Sequence, residues 1–420
     1  NYAREFLELF TIGKGEQVSD GDYTNYTEHD VVQAARVFSG IKFKNNRNNY
    51  DADTVKTPHY PSGIPKGYIK TNVHDTGDKT FSYAFNNQTI SGGNTTSSIE
   101  SELDDFVDMI FNKIETAKNY IRKLYRMFVR SEWDQEVEDD IITPLAQQLQ
   151  SNGYNLLEVL KTLLKSKHFF DLDDTDSTNE NIGAIIKNPL QFINELIQLL
   201  GVTIPNPNTP QTPQGSGYNT SNENFRYYIF WNAFLHNSFF SSTGMTPFAP
   251  ATVAGYPGDY QPPAYDKAWF NPNNIVARYN TILSFIGQDY NDNLGNGINK
   301  IIGVQTTQNG GQYYQRIWTS FDPVNFLENI VTDPFDANKI VEELSEILYC
   351  ELIDSSRVSY FVKFLIHDNE PNYVWYDTWN AYKNGNSTDS ENALVTIKNR
   401  LAGQDGLIPK MINASEFQLM

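Results

Sequence analysis

Apolar residues recur at helical spacing over most of this chain, and this periodicity restricts the fold more than any other feature. Four amphipathic segments follow one another at 99–112, 115–130, 134–150 and 154–168. Further segments with the same pattern are 2–10, 28–38, 189–200, 273–286, 323–332, 336–350, 354–366 and 390–402. Thr27 is the predicted N-cap of the segment at 28–38. The sequence therefore predicts a mainly α fold with a multi-helix globular body.

Three stretches interrupt the helical pattern. Turn residues dominate residues 41–97, where short runs at 66–70 and 79–83 predict a small β excursion near 60–90. Residues 203–222 are rich in Pro, Gly and Asn, which is typical of a long surface loop. We therefore predict a helical region at 1–202 with a β insertion, a loop at 203–222, and a helical region at 223–420 with an aromatic-rich loop at 241–271.

The aromatic-rich loop contains many Pro and Gly residues but also large apolar side chains. Phe248, Pro250, Val253 and Tyr256 give it groups to bury, each contributing on the order of 1–3 kcal/mol. We therefore expect the segment 244–258 to pack against the helical body. The aromatic rings of Tyr256, Tyr260 and Trp269 could also bind a carbohydrate.

Composition excludes several classes of function. Asp and Glu total 51 against 32 Lys and Arg, so the formal net charge is −19. This balance argues against broad binding of nucleic acid, which needs clustered cations. No run of apolar residues is long enough for a transmembrane helix. The single cysteine, Cys350, excludes a disulfide framework and is expected to be a small buried residue.

The first helical segment carries a group of charged residues. Glu5 and Glu8 are three apart on one helix face, next to Arg4, so the two carboxylates could bind a cation or share a proton. The alternative is that these acids simply favour the helix dipole or form structural ion pairs.

A second group lies in the β excursion. His74 and Asp75 are adjacent, and Lys79 follows in the same Gly-containing turn. An imidazole beside a carboxylate can act as a general base or as a metal ligand with its orienting partner. Turns also favour Asp for local hydrogen bonds, which is the simpler explanation. We predict that Glu5 and Glu8 approach His74 or Asp75 and form a shared catalytic site.

An acidic loop follows the helical segment at 154–168. Asp171, Asp173 and Asp176 alternate there and could coordinate calcium, which prefers several oxygen ligands. Their spacing does not match an EF-hand, and a solvated acidic loop is the alternative. The sequence contains no nucleophile-elbow, zinc-protease or phosphate-loop motif.

Ordered blocks of sequence resemble a large bacterial family of unknown function, number eighteen hundred in the domain-of-unknown-function series. The blocks are 1–13 (NYAREFLELFTIG), 26–31 (YTEHDV), 74–81 (HDTGDKTF), 117–129 (AKNYIRKLYRMFV), 187–192 (KNPLQF), 244–258 (GMTPFAPATVAGYPG) and 269–279 (WFNPNNIVARY). The resemblance implies an exported, largely helical protein. It also implies a gene neighbour with an alkaline-phosphatase-like fold. No reaction is established for the family.

The chain departs from the family pattern in two ways. The family's early Trp-His-Asn-His-Phe motif is absent, and Phe10 stands where many members carry His. Because the chain begins at Asn1 without Met, we expect it to be the C-terminal bulk of a longer product. Either the preceding segment or another subunit is then expected to cover the first helix.

Three hypotheses for function follow from these observations. The first is an exported cell-envelope protein that is a component of a protein assembly, with another subunit or the alkaline-phosphatase-like neighbour as partner. The second is a metal-assisted hydrolase of an envelope or extracellular polymer, using Glu5, Glu8, His74 and Asp75 with a divalent metal. The third is a carbohydrate-binding protein. Short acceptor-like motifs at 53–55 and 176–178 resemble O-glycan sites of exported Bacteroidota proteins.

Overall fold

The mainly α architecture predicted from the periodicity is confirmed. A computed structural model describes residues 1–43, 67–172, 185–201, 229–286, 301–308, 311–318, 321–366 and 370–420. The chain divides into two compact units, and each is described separately below. Unit 1 comprises residues 1–128 and 132–170, and unit 2 comprises residues 129–131 and 171–420.

Unit 1 contains the first group of helices. They are α1 (Tyr2–Glu5), α2 (Glu28–Val37), α3 (Thr96–Phe111), α4 (Ile114–Phe128), α5 (Gln135–Val137), α6 (Thr143–Ser151) and α7 (Leu156–Leu164). Wider π-helical turns continue α1 at Phe6–Phe10 and join α5 to α6 at Glu138–Ile142. Single 3₁₀ turns lie at Thr71–Val73, Tyr83–Phe85 and His168–Phe170.

Side-chain caps determine where α2 and α3 begin. Thr27 and Asp30 form a capping box at the start of α2, as the sequence predicts for Thr27. Thr95 and Ser98 form the same arrangement at the start of α3. These caps satisfy backbone N–H groups that have no partner within the helix.

Short antiparallel strand pairs fill the region between these helices. Strand β1 (Gln17–Ser19) pairs with β2 (Asp22–Tyr23), β3 (Ile41–Lys42) pairs with β4 (Tyr68–Ile69), and β5 (Lys79–Thr80) pairs with β6 (Thr89–Ile90). The predicted β excursion near 60–90 is thus present in the described residues. Pairs this short cannot be stable alone, so they depend on what they pack against.

The core of unit 1 is formed mainly by side chains of α1, α2, α3 and the β5–β6 segment. Its buried members are Ala3, Leu7, Ile12, Tyr26, Val31, Ala34, Val37, Phe81, Ala84, Phe85, Ile90, Phe106, Met109 and Ile110. Helix α2 packs against both α1 and α3. Side chains at the two ends of α2 therefore reach different parts of the unit.

Unit 2 contains the second group of helices and the only long strands that the structure describes. The helices are α8 (Pro189–Leu199), α9 (Pro257–Tyr260), α10 (Pro272–Ile286), α11 (Pro323–Ile330), α12 (Ala337–Leu348), α13 (Ser355–Ile366), α14 (Tyr373–Asn384), α15 (Ser387–Ala402) and α16 (Leu407–Ile412). A π-helical segment spans Ile229–Phe240, and strand β7 (Ile301–Gln308) pairs antiparallel with β8 (Gly311–Trp318). Further 3₁₀ turns lie at Tyr265–Phe270 and Glu416–Gln418.

An extensive apolar core holds unit 2 together. It includes Phe192 of α8, Leu344 of α12, the contacting Trp375 and Trp379 of α14, and Leu401 of α15. The end of the chain also closes on α8, since the backbone N–H of Lys187 donates to the carbonyl of Gln418 at 2.8 Å. None of the described helices is long and apolar enough to cross a membrane.

Two burial predictions are wrong. Phe248, Pro250 and Val253 are exposed, although Tyr256 at the base of their loop is half-buried. Tyr256 and Trp269 pack together at the base of the loop, whereas the residues at its tip are exposed to solvent. Cys350 is exposed because it lies just beyond the end of α12.

Candidate functional site

A buried charged cluster forms around Glu102, and we call it the Glu102 network. His74 Nε2 lies 3.0 Å from Glu102 Oε2, and Lys79 Nζ lies 2.6 Å from Glu102 Oε1. The side chains of all three residues have 0% exposure to solvent. The backbone N–H of Gly93 also donates to Glu102 Oε2 at 2.7 Å. One carboxylate thus receives donors from three separate segments of the chain.

The network reaches the surface through Asp75 and Arg36. Arg36 donates from Nε and Nη2 to the two oxygens of Asp75, at 3.0 and 2.9 Å. These hydrogen bonds lower the pKa of the Asp75 carboxyl from 3.8 to about 2. Lys79 links the pair to the interior, since its ammonium group donates to the backbone carbonyl of Asp75.

Local structure explains why these groups meet. Glu102 lies on the face of α3 that also carries Ile99 and Phe106, so the helix itself takes the carboxylate into the core. His74 follows the 3₁₀ turn Thr71–Val73, and Lys79 begins β5. At Gly40 the backbone is left-handed (φ +78°) and a Cβ atom would lie 3.0 Å from His74 Cβ, so glycine is required there.

Every polar group of His74 is held by the protein. Its Nδ1 lies 2.6 Å from the carbonyl oxygen of Ser39 while Nε2 faces Glu102. Both ring nitrogens thus face hydrogen-bond acceptors within the protein. A general base needs contact with a substrate proton, and this ring has no solvent-exposed surface. The arrangement is therefore suited to holding chain segments together rather than to catalysis.

The predicted residues of the first helical segment form a different set. Arg4 Nη2 lies 2.7 Å from Glu28 Oε1, while Glu8 pairs with Lys14 at 2.7 Å. The buried Tyr26 hydroxyl donates to Glu8 at 3.2 Å, and burial raises the pKa of Tyr26. Glu5 is half-buried on the same helical segment. The Arg4–Glu28 and Glu8–Lys14 contacts are surface ion pairs of the kind that contribute little to stability.

Helix α2 carries one partner of each set at opposite ends. Glu28 at its start binds Arg4, and Arg36 near its end binds Asp75. Eight residues of helix separate the two partners by about 12 Å. The structure therefore brings His74, Asp75 and Lys79 together, and places Arg4 and Glu8 in a separate group.

The predicted aromatic site is mostly engaged within the protein. Trp269 is buried and lies 6.2 Å, ring to ring, from Tyr256. Tyr260 is 3.0 Å from the Thr252 hydroxyl, and Tyr256 donates to the carbonyl of Thr246. Their main contacts hold the loop at 244–258 in shape.

The predicted calcium loop is described only in part. Asp171 is buried and has a left-handed backbone (φ +55°), while Asp173 and Asp176 lie outside the described residues. Across the described ranges, no group of three or more His, Cys, Asp or Glu side chains is placed to hold a metal ion.

Sequence reasoning missed Glu102, Arg36 and Asp30. Asp30 is fully buried and accepts hydrogen bonds from the backbone and hydroxyl of Ser82, both at 2.6 Å. A signal for Glu102 does exist, because it falls three residues after Ile99 and four before Phe106 in an apolar helical stripe. An acid in such a stripe must be buried and therefore paired.

The fold and this network define a class: a mainly helical protein of two units, in which a buried carboxylate ties the β excursion to a helix. The chain belongs to the family described as Protein of unknown function (DUF1800), whose model matches residues 1–419. No curated protein and no solved structure matches it. The family resemblance read from the sequence blocks is thus confirmed over essentially the whole chain.

Replacing Glu102 by Gln tests the structural role of the network. We expect the variant to lose about 3 kcal/mol or more of unfolding free energy, because Lys79 then remains buried without its countercharge. The measurement is urea unfolding of the full chain, with hydrogen exchange at the amides of α3 as the local readout. Glu100→Gln is the matched control, since Glu100 is exposed on the same helix.

A double variant separates the loss of a contact from the exposure of an unpaired charge. Lys79→Met combined with Glu102→Leu removes both charges and should recover part of the stability that Glu102→Gln loses. Wild-type stability in Glu102→Gln would show that the network does not hold the fold.

The Asp75–Arg36 pair predicts a pH dependence of stability. The folded-state pKa of Asp75 is depressed, so the pair stabilises the protein above pH 3.8 and this contribution is lost as the pH falls towards about 2. The Asp75 side chain is 38% exposed, which screens the pair, so we expect about 1 kcal/mol or less. The measurement is the difference in unfolding free energy between wild type and Asp75→Asn across this range. A difference that is constant or grows on acidification contradicts the assignment.

Proposed function

We propose that this protein is exported and works at the bacterial cell envelope as a component of a protein assembly. The docking element would be residues 246–256, which we call the apolar loop. The observation that carries the proposal is Phe248, whose side chain is fully exposed (104%) on a left-handed backbone (φ +61°).

The tip of the apolar loop presents an uncharged surface. Phe248, Ala249, Pro250, Ala251 and Val253 are all exposed. No charged side chain occurs between residues 237 and 258 in a chain whose net charge is −19. Single exposed apolar residues are common, but a run of them on one loop is typical of an interaction site.

The backbone at Phe248 is strained. A left-handed conformation costs a residue with a Cβ atom roughly 1–2 kcal/mol. Strain of this kind persists where the surrounding structure enforces it, and it is concentrated at functional positions. Burial of the Phe248 ring on a partner would return about 1.5–3 kcal/mol.

Side-chain contacts close the base of the apolar loop. Tyr256 donates to the carbonyl of Thr246, which closes the loop, and Tyr260 contacts Thr252 at 3.0 Å. Trp269 packs so closely on the backbone that a Cβ atom at Gly258 would lie 2.2 Å from its ring. A pre-shaped loop loses little conformational freedom on binding, which favours affinity.

A hydrophobic pocket on another protein suits this loop better than a lipid surface. Anionic membranes attract clustered cations, and the apolar loop carries none while the chain as a whole is acidic. Aromatic anchors that fill pockets dominate many protein interfaces. Export rests on the family resemblance, and fractionation of the native cells tests it directly.

Two variants at position 248 measure the cost of the strained backbone. Phe248→Ala removes the ring but keeps the left-handed Cβ penalty, whereas Phe248→Gly removes both. We expect Phe248→Gly to be more stable than Phe248→Ala by on the order of 1 kcal/mol. Thermal or urea unfolding of the full chain measures the difference. Equal stability, or greater stability of the Ala variant, would show that the backbone there is unstrained.

A photoreactive phenylalanine analogue at position 248 tests the docking role in native cells. We expect irradiation to give one dominant protein adduct of constant mass. The control site is Leu352, which is 75% exposed in the same unit and lies outside the loop. Lipid adducts alone, no adduct, or the same adducts at both positions would overturn the proposal.

A further inference from the structure

A polar cleft in unit 1 is separate from both the Glu102 network and the apolar loop. It has a volume of about 230 Å³ and lies between α3 and the turn that joins β5 to β6. We propose that this cleft binds a neutral, polyhydroxylated ligand, namely a saccharide of one or two units. The volume is below that of a typical drug-sized pocket, which suits a small ligand.

Polar side chains without protein partners converge on the cleft. Helix α3 contributes the carboxylates of Asp105 and Asp108, and Asn112 caps its end. The β5–β6 turn contributes the carboxamides of Asn86 and Gln88. In the part of the chain that the structure describes, these five side chains make no hydrogen bond or ion pair within the protein. Their hydrogen-bonding capacity is therefore available to a ligand.

The chemistry of the lining matches hydroxyl groups. A sugar hydroxyl both donates and accepts, carboxylates accept, and carboxamides do both. Lys113 adds an ammonium donor at the edge, above the ring of Phe85 at 5.9 Å. Phe85 and Met109 also line the cleft, but both are almost fully buried. The accessible lining is therefore mainly polar, which suits the hydroxyl groups of a saccharide better than an apolar ligand.

Charged ligands fit this lining less well. Two carboxylates oppose a phosphate or another anion. One ammonium group among them weakens the attraction for a metal ion. Across the described residues, no group of three or more His, Cys, Asp or Glu side chains is placed to hold one. A neutral ligand is neither repelled by the carboxylates nor opposed by the ammonium group.

Backbone turns and a helix cap shape the walls of the cleft. Asn86 and Asn87 both adopt left-handed backbones (φ +57° and +54°), which asparagine tolerates better than most residues. The backbone N–H of Phe81 donates to the carbonyl of Gln88 at 2.9 Å and closes the turn. Capping by Thr95 holds the start of α3. Preorganised groups of this kind reduce the entropic cost of binding.

Saturation-transfer difference NMR on the full chain tests the proposal. The probes are glucose, galactose, mannose, N-acetylglucosamine and their common disaccharides, each at millimolar concentration, with inorganic phosphate and calcium chloride as competitors. We expect at least one saccharide to show saturation transfer. We also expect Asp108→Ala and Asn112→Ala to weaken its binding about tenfold or more.

The matched control is Asp104→Ala, which removes the same charge from an exposed position on the same helix outside the cleft. Retained binding in this control, with loss in the two cleft variants, supports the assignment. All three positions are exposed, so folding should be unaffected, and thermal unfolding verifies this. No saccharide signal, equal binding by all variants, or displacement by phosphate or calcium would overturn the proposal. Because the cleft and the apolar loop lie in different units, failure of one proposal leaves the other intact.

Discussion

Burial of the Glu102 carboxylate is the constraint on which the rest of unit 1 depends. Moving a carboxylate out of water costs several kcal/mol unless hydrogen-bond donors and cations replace its hydration. His74, Lys79 and the backbone of Gly93 do so, each from a different stretch between α2 and α3. Among the described residues between α2 and α3, the elements are two-residue strands and single 3₁₀ turns, which have little stability of their own. The buried carboxylate therefore fixes the conformation of a segment whose local sequence preferences alone would not determine it.

In unit 2, a buried cation is likewise held by hydrogen bonds within the protein. Arg278 is fully buried, donates to the carbonyl of Lys187 at 2.5 Å and to Gln418 at 3.1 Å, and lies over the ring of Phe192. Burial lowers the pKa of its guanidinium group to about 10. Arg278, Lys187 and Phe192 all belong to sequence blocks that resemble the family. Arg278 and Lys187 of the family blocks are thus held by contacts within unit 2, as His74 and Lys79 are within unit 1.

How much could be predicted from the sequence depends on the range of the interaction. Helix α8 spans Pro189–Leu199 against a predicted 189–200, because periodicity and capping are local. The apolar pattern does not predict α14, since its buried Trp375 and Trp379 are surrounded by Tyr, Asn, Asp and Lys. The sequence presents His74, Asp75 and Lys79 as a local motif, but their partner Glu102 lies on α3. The prediction that Phe248 is buried is wrong because an apolar residue need not be buried.

The distribution of charge also bears on which contacts the protein can form. A chain of net charge −19 repels copies of itself, which opposes non-specific association. The Asp and Glu side chains outside the buried network supply this repulsion, whereas the apolar loop carries no charge that a partner would have to desolvate. Under the proposed docking role, the loop would bind through the fit of Phe248 and Val253 to a pocket rather than through charge pairing. An uncharged contact element avoids the cost of desolvating charges, and a loop held in advance loses less conformational entropy on binding. The hydrogen bonds at Tyr256 and Tyr260 provide that preorganisation.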